Sequence, residues 1–503
     1  MKIYQIVPAL NYGDAIGNDV IAIKHIIEDM KIPTAVYTGV ISPKITEPDT
    51  YTISEMPKIR EDDIIIYHMG SASSLNMMVS KLNCRKIMIY HNITPYEFFR
   101  IDNITATESC RKGLEDMVEM RGCFNSYLAD SEFNKSDMIK MGYKENQIEV
   151  IPVVIPFDDY KQKPNSAMVA KLSDDITNIV FVGRIAPNKK HEDIIRTFDY
   201  YKKNINPKSR LILVGSANLN GMYYGNIKSY IDELGTKDII FPGHISFAEI
   251  LAIYKTADVF LCLSEHEGFC VPLLEAMTFD VPIIAYNAGA IPETMGGSGV
   301  VVDNKDPVFL SKVIHGVVTD EKMKNDIINM QRKRLEDFAF DKIKNKFQSY
   351  LRKFIEDFPP RSPDDNEKNA RDLYNLVDDN MRKAGKTLDF SQDTLIHRIK
   401  SNPNELNVTE LLNCNYSNKS LVEIVYLARY NSLPDKESCA FWENEAKNCN
   451  RTDFIKKLIS STVDSNERKN SGMKVLYNPF TTAVLKTVDE LSENIIEGGA
   501  EPA

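Results

Sequence analysis

The sequence predicts an α/β chain with two doubly wound parallel-sheet domains followed by an all-helical region. Three observations carry this. Short aliphatic runs alternate with longer helical patterns, the alternation stops at a proline-bearing break and then restarts, and beyond Phe358 no strand-like run persists. Continuous Val/Ile runs such as "DIIIYHM" and "RLILVG" suit parallel strands covered on both faces. Strand–helix alternation is the pattern of a doubly wound sheet.

In order, "KIYQIV" reads as a strand and "NDVIAIKHIIEDM" as a helix with apolar residues at three–four spacing. "TAVYTGV", "DIIIYHM" and "KIMIYHNI" are further strands, with "SLNMMVSKL" and "RKGLEDMVEM" as helices. Ile151 to Val169 holds three prolines and a polar run and reads as a linker. "NIVFVG", "RLILVG", "DIIFPG", "DVFLCLS", "VPIIAYNA" and "GVVVD" then alternate with "HEDIIRTFDYY", "GNIKSYIDEL", "FAEILAIYKTA" and "VPLLEAM". A basic amphipathic helix, roughly Lys322 to Ile355, closes the second domain, and Pro359 to Asn369 is a second linker. The expected divisions are 1–160, 161–358 and a helical 359–503.

Length and composition set the class. At about 100–200 residues per domain, 503 residues suggest three domains. A net charge of −10 gives no global footprint for nucleic acid. The eight cysteines form no C-x-x-C pair and no Cys/His set with zinc spacing, which suits a reducing cytoplasm. The N-terminus has no signal-peptide core, and no apolar run approaches the ~18 residues of a membrane span.

Ligands of doubly wound sheets bind at the carboxyl ends of the strands, so the informative residues are in the loops that follow them. After the first strand, Gly13 and Gly17 precede a helix, where a missing side chain lets backbone approach an anion. Their spacing is not the dinucleotide fingerprint. His91, in "HNITP", stands at a strand tip, where it either hydrogen-bonds a hydroxylated ligand or is satisfied structurally. "GRIAPNKK" carries Arg184 and Lys189, a guanidinium fork and a point charge that together suit a pyrophosphate, with Lys190 available to share.

"SEHEGFCVPLLEAM" is the richest stretch. Pro272 suits a first helical turn. The amides of Gly268, Phe269 and Cys270 would then sit at the positive end of a helix, ready for phosphate or sugar oxygens. Glu275 can accept from a vicinal diol such as ribose, and Glu267 from sugar hydroxyls.

Taken together in this order, "GRIAPNKK", "GHISFAEILAIYKTADVFLCLS", "EGFCVPLLE" and "AGAIPETMGGSGVVVD" resemble the family 4 glycosyltransferases of the GT-B fold. The glycine loop and "YHNITP" are similar to a bacterial subgroup that makes surface polysaccharides. The resemblance covers Met1 to Phe358. It implies two facing Rossmann-like domains and α-retaining transfer from a nucleotide-diphosphate sugar to a glycan, lipid-linked or protein-linked acceptor. By position, Arg184 and Lys189 would neutralise the diphosphate and Glu275 would hold the ribose. Glu267, Gly268 and Phe269 would hold the donor sugar, and His91 would contact it near the reacting centre. Gly17 would admit the phosphates, and Pro242, Gly243 and His244 would line the base pocket. Cys270 departs from the family's frequent glycine. No cofactor or metal is expected, since no D-x-D occurs and the cations can do the electrostatic work. Other GT-B chemistry, such as a phosphorylase or an epimerase-like hydrolase, and a non-catalytic nucleotide-sugar-binding subunit are the competing classes.

The tail is similar to a small helical module found beside bacterial glycosyltransferases, through Tyr426, Arg429, Pro434, Asp435, Trp442, Ser465 and Glu467, with Ala428 replacing the usual glycine. Trp442 reads as core rather than as a sugar platform. The expected location is cytoplasmic, with contact at the inner face of the membrane and a partner protein on the helical tail left open.

Overall fold

The computed structural model describes residues 1–360, except 58, 61, 83, 220 and 244, and, in the remainder, 418, 421–422, 436–450, 453–455 and 457–458. The first sheet holds β1 (Ile3–Leu10), β2 (Thr34–Ile41), β3 (Thr50–Thr52), β4 (Ile64–Met69), β5 (Arg85–Tyr90), β6 (Ser126–Ala129) and β7 (Ile148–Val150). Its helices are α1 (Ala15–Asp29), α2 (Ser74–Ser80), α3 (Ile104–Glu119) and α4 (Glu132–Lys140). The strand order is β3-β2-β1-β4-β5-β6-β7, parallel throughout.

After α5 (Ser166–Leu172) the pattern repeats. β8 (Thr177–Val182), α6 (His191–Asn204), β9 (Ser209–Val214), α7 (Met222–Leu234), β10 (Ile239–Ile240), α8 (Phe247–Thr256) and β11 (Val259–Cys262) come first. α9 (Val271–Thr278), β12 (Ile283–Tyr286), α10 (Ile291–Met295), β13 (Val300–Val302), α11 (Pro307–Thr319), α12 (Glu321–Leu335) and α13 (Phe340–Asp357) follow. The second sheet runs β10-β9-β8-β11-β12-β13, again parallel. In both sheets the order reverses beside the first strand, between β1 and β4 and between β8 and β11. Crevices for ligands open at such reversals.

The period of two along the strands explains the layers. Ile64 and Ile66 of β4 face one side, with Ile3, Ile87, Ile89 and the α1 residues Ile23, Ile26 and Ile27. Ile65 and Tyr67 face the other, with Met88, Tyr90, Tyr127, Met78 and Val79. All are buried, so the strands read as unbroken apolar runs.

Three features differ from the sequence expectation. The short strands β3, β6 and β7 carry too few residues to stand out as apolar runs. The stretch read as a linker ends inside α5, which is capped by Asn165, whose side chain accepts from the Met168 amide at 2.9 Å. The basic helix from Lys322 is broken at 336–339 by a 3-10 turn and the extended Ala339. Its second half, α13, covers the first sheet rather than the second, burying Ile343, Phe347, Leu351 and Phe354 against Ile3, Ile64 and Ile87. Lys346 Nζ donates to the Val150 carbonyl at 2.6 Å, and Tyr350 donates to Ser126 Oγ at 2.8 Å.

Within the tail, α14 (Lys436–Asn448) buries Trp442, with Phe454 edge-on at 5.9 Å and Leu421, Ile455 and Leu458 also buried. Trp442 is core, as expected. Tyr426, Ala428, Arg429, Pro434, Asp435, Ser465 and Glu467 lie outside the described residues. Among the described residues no helix is long and apolar enough to cross a membrane.

Candidate active site

The two loops richest in chemistry follow β8 and β11, the central neighbours of the second sheet, so the strand-order reversal brings them together. Lys189, in the turn after β8, places Nζ 2.6 Å from each oxygen of Glu267, in the loop after β11. Burial alone would depress the Lys189 ammonium, but the Glu267 carboxylate reverses this and holds its pKa above the usual lysine value. Lys190 sits in the left-handed region at φ 52°. Its ammonium goes elsewhere, to Glu265 at 3.2 Å and Glu192 at 3.7 Å. Arg184 is exposed, and no direct partner engages its guanidinium among the described residues.

Backbone clamps fix the Glu267 loop. The Ala290 amide donates to the Glu267 carbonyl at 2.9 Å. Gly289 approaches so closely that a Cβ there would lie 2.5 Å from the same oxygen, and its φ of 56° also favours glycine. Thr294 Oγ1 donates to the Phe269 carbonyl at 2.6 Å. The Phe269 ring is buried edge-on against Phe338, so only its backbone can serve a ligand. Cys270 caps α9 in the left-handed region at φ 74°, with Pro272 in the first turn as expected.

Glu275 points inward from α9. Tyr160, in the short turn after β7, donates to Oε1 at 2.7 Å, and Tyr254 of α8 donates to Oε2 at 2.6 Å. Burial raises the carboxyl pKa, and the two hydroxyls pull it back. Each oxygen keeps a lone pair for a further donor.

In the first sheet, Gly17 lies in the first turn of α1. A Cβ on it would stand 2.6 Å from the Asn11 carbonyl oxygen, so the loop after β1 requires the glycine. His91 follows β5. Its Nδ1 lies 2.9 Å from Asp130 Oδ2 and its Nε2 lies 2.9 Å from His68 Nδ1. His68 continues to Gln5 Oε1 at 3.0 Å. Both ring nitrogens of His91 are thus engaged inside the protein. Burial disfavours the charged ring, but Asp130, Asp19 and Asp14 more than offset it, and the His91 pKa is raised. Asp14, just before α1, feels the charges of both His91 and Arg184, so these two predicted residues share one neighbourhood.

The structure therefore joins Lys189 to Glu267, sets Cys270 beside them, and brings His91 and Arg184 near one carboxylate. Gly243 stands apart, on the loop after edge strand β10, two strands from β8, at φ 73°. His244 lies outside the described residues. Sequence reasoning missed Tyr160 and Tyr254, the His68–Gln5 extension and Asp130. It also missed the contacts that dock the Glu267 loop on the first domain. His266 Nε2 lies 2.7 Å from Asn92 Oδ1, and Ser131 Oγ donates to the Gly268 carbonyl at 2.7 Å. The Glu293 carboxylate caps the start of α4, accepting from the amides of Glu132 at 2.7 Å and Phe133 at 3.1 Å.

Two facing parallel-sheet domains with loops converging from β8 and β11 define the GT-B fold. Solved structures agree. Anabaena Alr3699/HepE, described in complex with UDP and glucose, superposes with a TM-score of 0.54 at 18% identity, covering 70% of this chain and 100% of that one. Sucrose-phosphate synthase from Thermosynechococcus elongatus gives 0.56 at 16%, covering 71% and 100%. Residues 165–334 match the family described as glycosyl transferases group 1. O-antigen chain mannosyltransferase B of Escherichia coli is 23% identical over 246 residues, 47% of this chain and 62% of that protein. The capsular polysaccharide biosynthesis glycosyltransferase CapM of Staphylococcus aureus is 27% identical over 239 residues, 46% and 59%. The chain thus spans less than two thirds of these relatives.

Proposed function

We propose that this chain is a retaining, metal-independent glycosyltransferase of family 4 type. It would move a sugar from a nucleotide-diphosphate sugar to a glycan, lipid-linked or protein-linked acceptor in surface polysaccharide or glycoconjugate synthesis. The observation that carries the reading is the Lys189–Glu267 pair at the mouth of the β8/β11 reversal, with exposed Arg184 on the same loop as the lysine. Arg184 and Lys189 supply two cations for a diphosphate leaving group. Glu275, pre-set by two tyrosines, has acceptor capacity left for ribose hydroxyls. Glu267 and the amides of Gly268 and Phe269 bind the donor sugar beside them, with Cys270 at the edge of that pocket. Gly17 admits the phosphates, and the loop of Gly243 and His244 borders the base.

His91, with both ring nitrogens engaged, acts through its charge and position beneath the sugar rather than as a free-swinging acid or base. In the transfer, the bond from the anomeric carbon to phosphate oxygen breaks. The acceptor oxygen bonds on the same face, and its proton goes to the departing phosphate. The protein contributes positioning and charge stabilisation. The contacts of the Glu267 loop with Asn92 and Ser131 shut the domains on the reactants and limit hydrolysis.

The test is release of nucleotide diphosphate from GDP-, UDP-, dTDP- and ADP-sugars by the full chain, with Lys189→Ala and Glu275→Ala as controls. Release from one donor, lost in both variants, is expected. Binding of a donor with no release under any acceptor mixture would leave a binding subunit instead.

A further inference from the structure

Beside the Lys189–Glu267 pair lie two thiols whose sulfur atoms have no part in sugar transfer. Cys262 ends β11 and is fully buried, and Cys270 caps α9 at 7% exposure. Their Sγ atoms and a Glu267 oxygen all lie within 4.8 Å of one another. Cys262 Sγ also reaches Ser264 Oγ at 3.4 Å.

The backbone gives a second, independent indication. Cys270 stands at φ 74°, where glycine is the unstrained choice, so a thiol is held there against its conformational preference. Two thiols and a carboxylate form a donor set suited to a thiophilic divalent cation of zinc type, with sulfur bonds of about 2.3 Å and oxygen bonds of about 2.0–2.2 Å. Lys189 is the competitor already in place, with its ammonium 2.6 Å from both oxygens of the carboxylate the ion would need.

We propose that Cys262, Cys270 and Glu267 form a site for a zinc-type cation, and that binding expels Lys189 from Glu267 and shuts down the donor site. Both thiols bind as thiolates and give up their protons to solvent, and no oxidation is involved. The inhibitory half rests on the transferase reading, whereas the binding half does not.

The experiment titrates the reduced full chain with Cd²⁺, read by thiolate-to-metal absorption, and with Zn²⁺, read by calorimetry. One equivalent of ion is expected to bind with a two-thiolate band. Cys262→Ser and Cys270→Gly should each abolish it. The glycine fits the left-handed backbone, so misfolding does not confound that variant. Lys189→Met removes the competing cation and should tighten binding by about tenfold or more. Zn²⁺ should suppress nucleotide diphosphate release in the native chain but not in Cys262→Ser. A band that survives both cysteine variants places the metal on other thiols and overturns the proposal, as does unchanged affinity in Lys189→Met. If no donor is ever turned over, the absorption titration still decides the binding claim.

Discussion

Gly268 and Asn92, one from each domain, meet so closely that a Cβ on the glycine would stand 2.4 Å from the asparagine Cβ. The glycine of the acidic motif is thus demanded by the neighbouring domain as well as by any ligand. Gly268→Ala must push the Glu267 loop off Asn92 and strain the His266 and Ser131 contacts. Overpacking of this kind costs about 1–3 kcal/mol. A displacement near 1 Å at a reacting site costs on the order of 100-fold in rate. Adding Asn92→Gly, which suits its φ of 73°, should recover part of the loss. Turnover together with solution scattering of the single and double variants checks this. Equal losses in both variants would refute the steric account.

Removing Lys189 leaves Glu267 nearly buried and without its ion-pair partner. Breaking such a pair from one side typically costs about 3–5 kcal/mol, and partial exposure of the lysine lowers this to roughly 2–3. Lys189→Met should therefore unfold at lower denaturant than Lys189→Met/Glu267→Gln, in which the stranded charge is gone. Chemical denaturation of the two proteins decides it.

Tyr160 and Tyr254 each donate to Glu275, and a hydrogen bond to a charged group is worth about 1.5–3 kcal/mol. Removing either hydroxyl takes away a contact that stabilises the carboxylate, so the Glu275 pKa rises further. Donor hydroxyls need the ionised form. In Tyr160→Phe and Tyr254→Phe, the loss of donor affinity on acidification should therefore begin at higher pH than in the native chain. Donor-binding titrations across pH measure this shift, and an unmoved acid limb would exclude the role.

The route from sequence to site was uneven, and the reasons are physical. Buried parallel strands such as β4 and β5 announce themselves because both faces are apolar. Loops after them could then be searched for charge, which exposed Arg184, Lys189, Glu267 and Glu275. What stayed hidden were pairings with no local signal. Tyr160 lies in a stretch that reads as linker, 115 positions from the carboxylate it holds. The His91 chain draws Gln5 from within β1, His68 from near the end of β4 and Asp130 from the residue after β6. The amphipathic stripe of α13 was visible, but an apolar stripe does not say which sheet it will cover.

Asp19, beside His91, provides a test of pH dependence. Its carboxylate accepts from the Val154 amide at 2.7 Å. Burial raises its pKa from the ordinary 3.8 to about 7, with the His91 charge opposing and Asp130 adding. Between these values the folded state keeps a proton that the unfolded chain has released, so stability falls as pH rises from about 4 to about 7. Asp19→Asn keeps the acceptor and removes the charge. It should match the native chain near pH 4 and exceed it at pH 8 by ~2 kcal/mol, about half of the full conversion because neighbouring charges share the titration. Denaturant midpoints at the two pH values provide the comparison.

The seating of α13 on the first sheet sets a schedule for synthesis. A ribosome delivers the whole first sheet by residue 150, yet the helix that roofs Ile3, Ile64 and Ile87 emerges some two hundred residues later. Until then that apolar side of the nascent sheet is covered by α1 but lacks α13, a state that invites aggregation or chaperone binding. The first domain to be made is thus the last to be finished. A fragment cut at the first linker would keep that half-covered face, whereas a split placed after Phe358 would keep α13 with the sheet it covers.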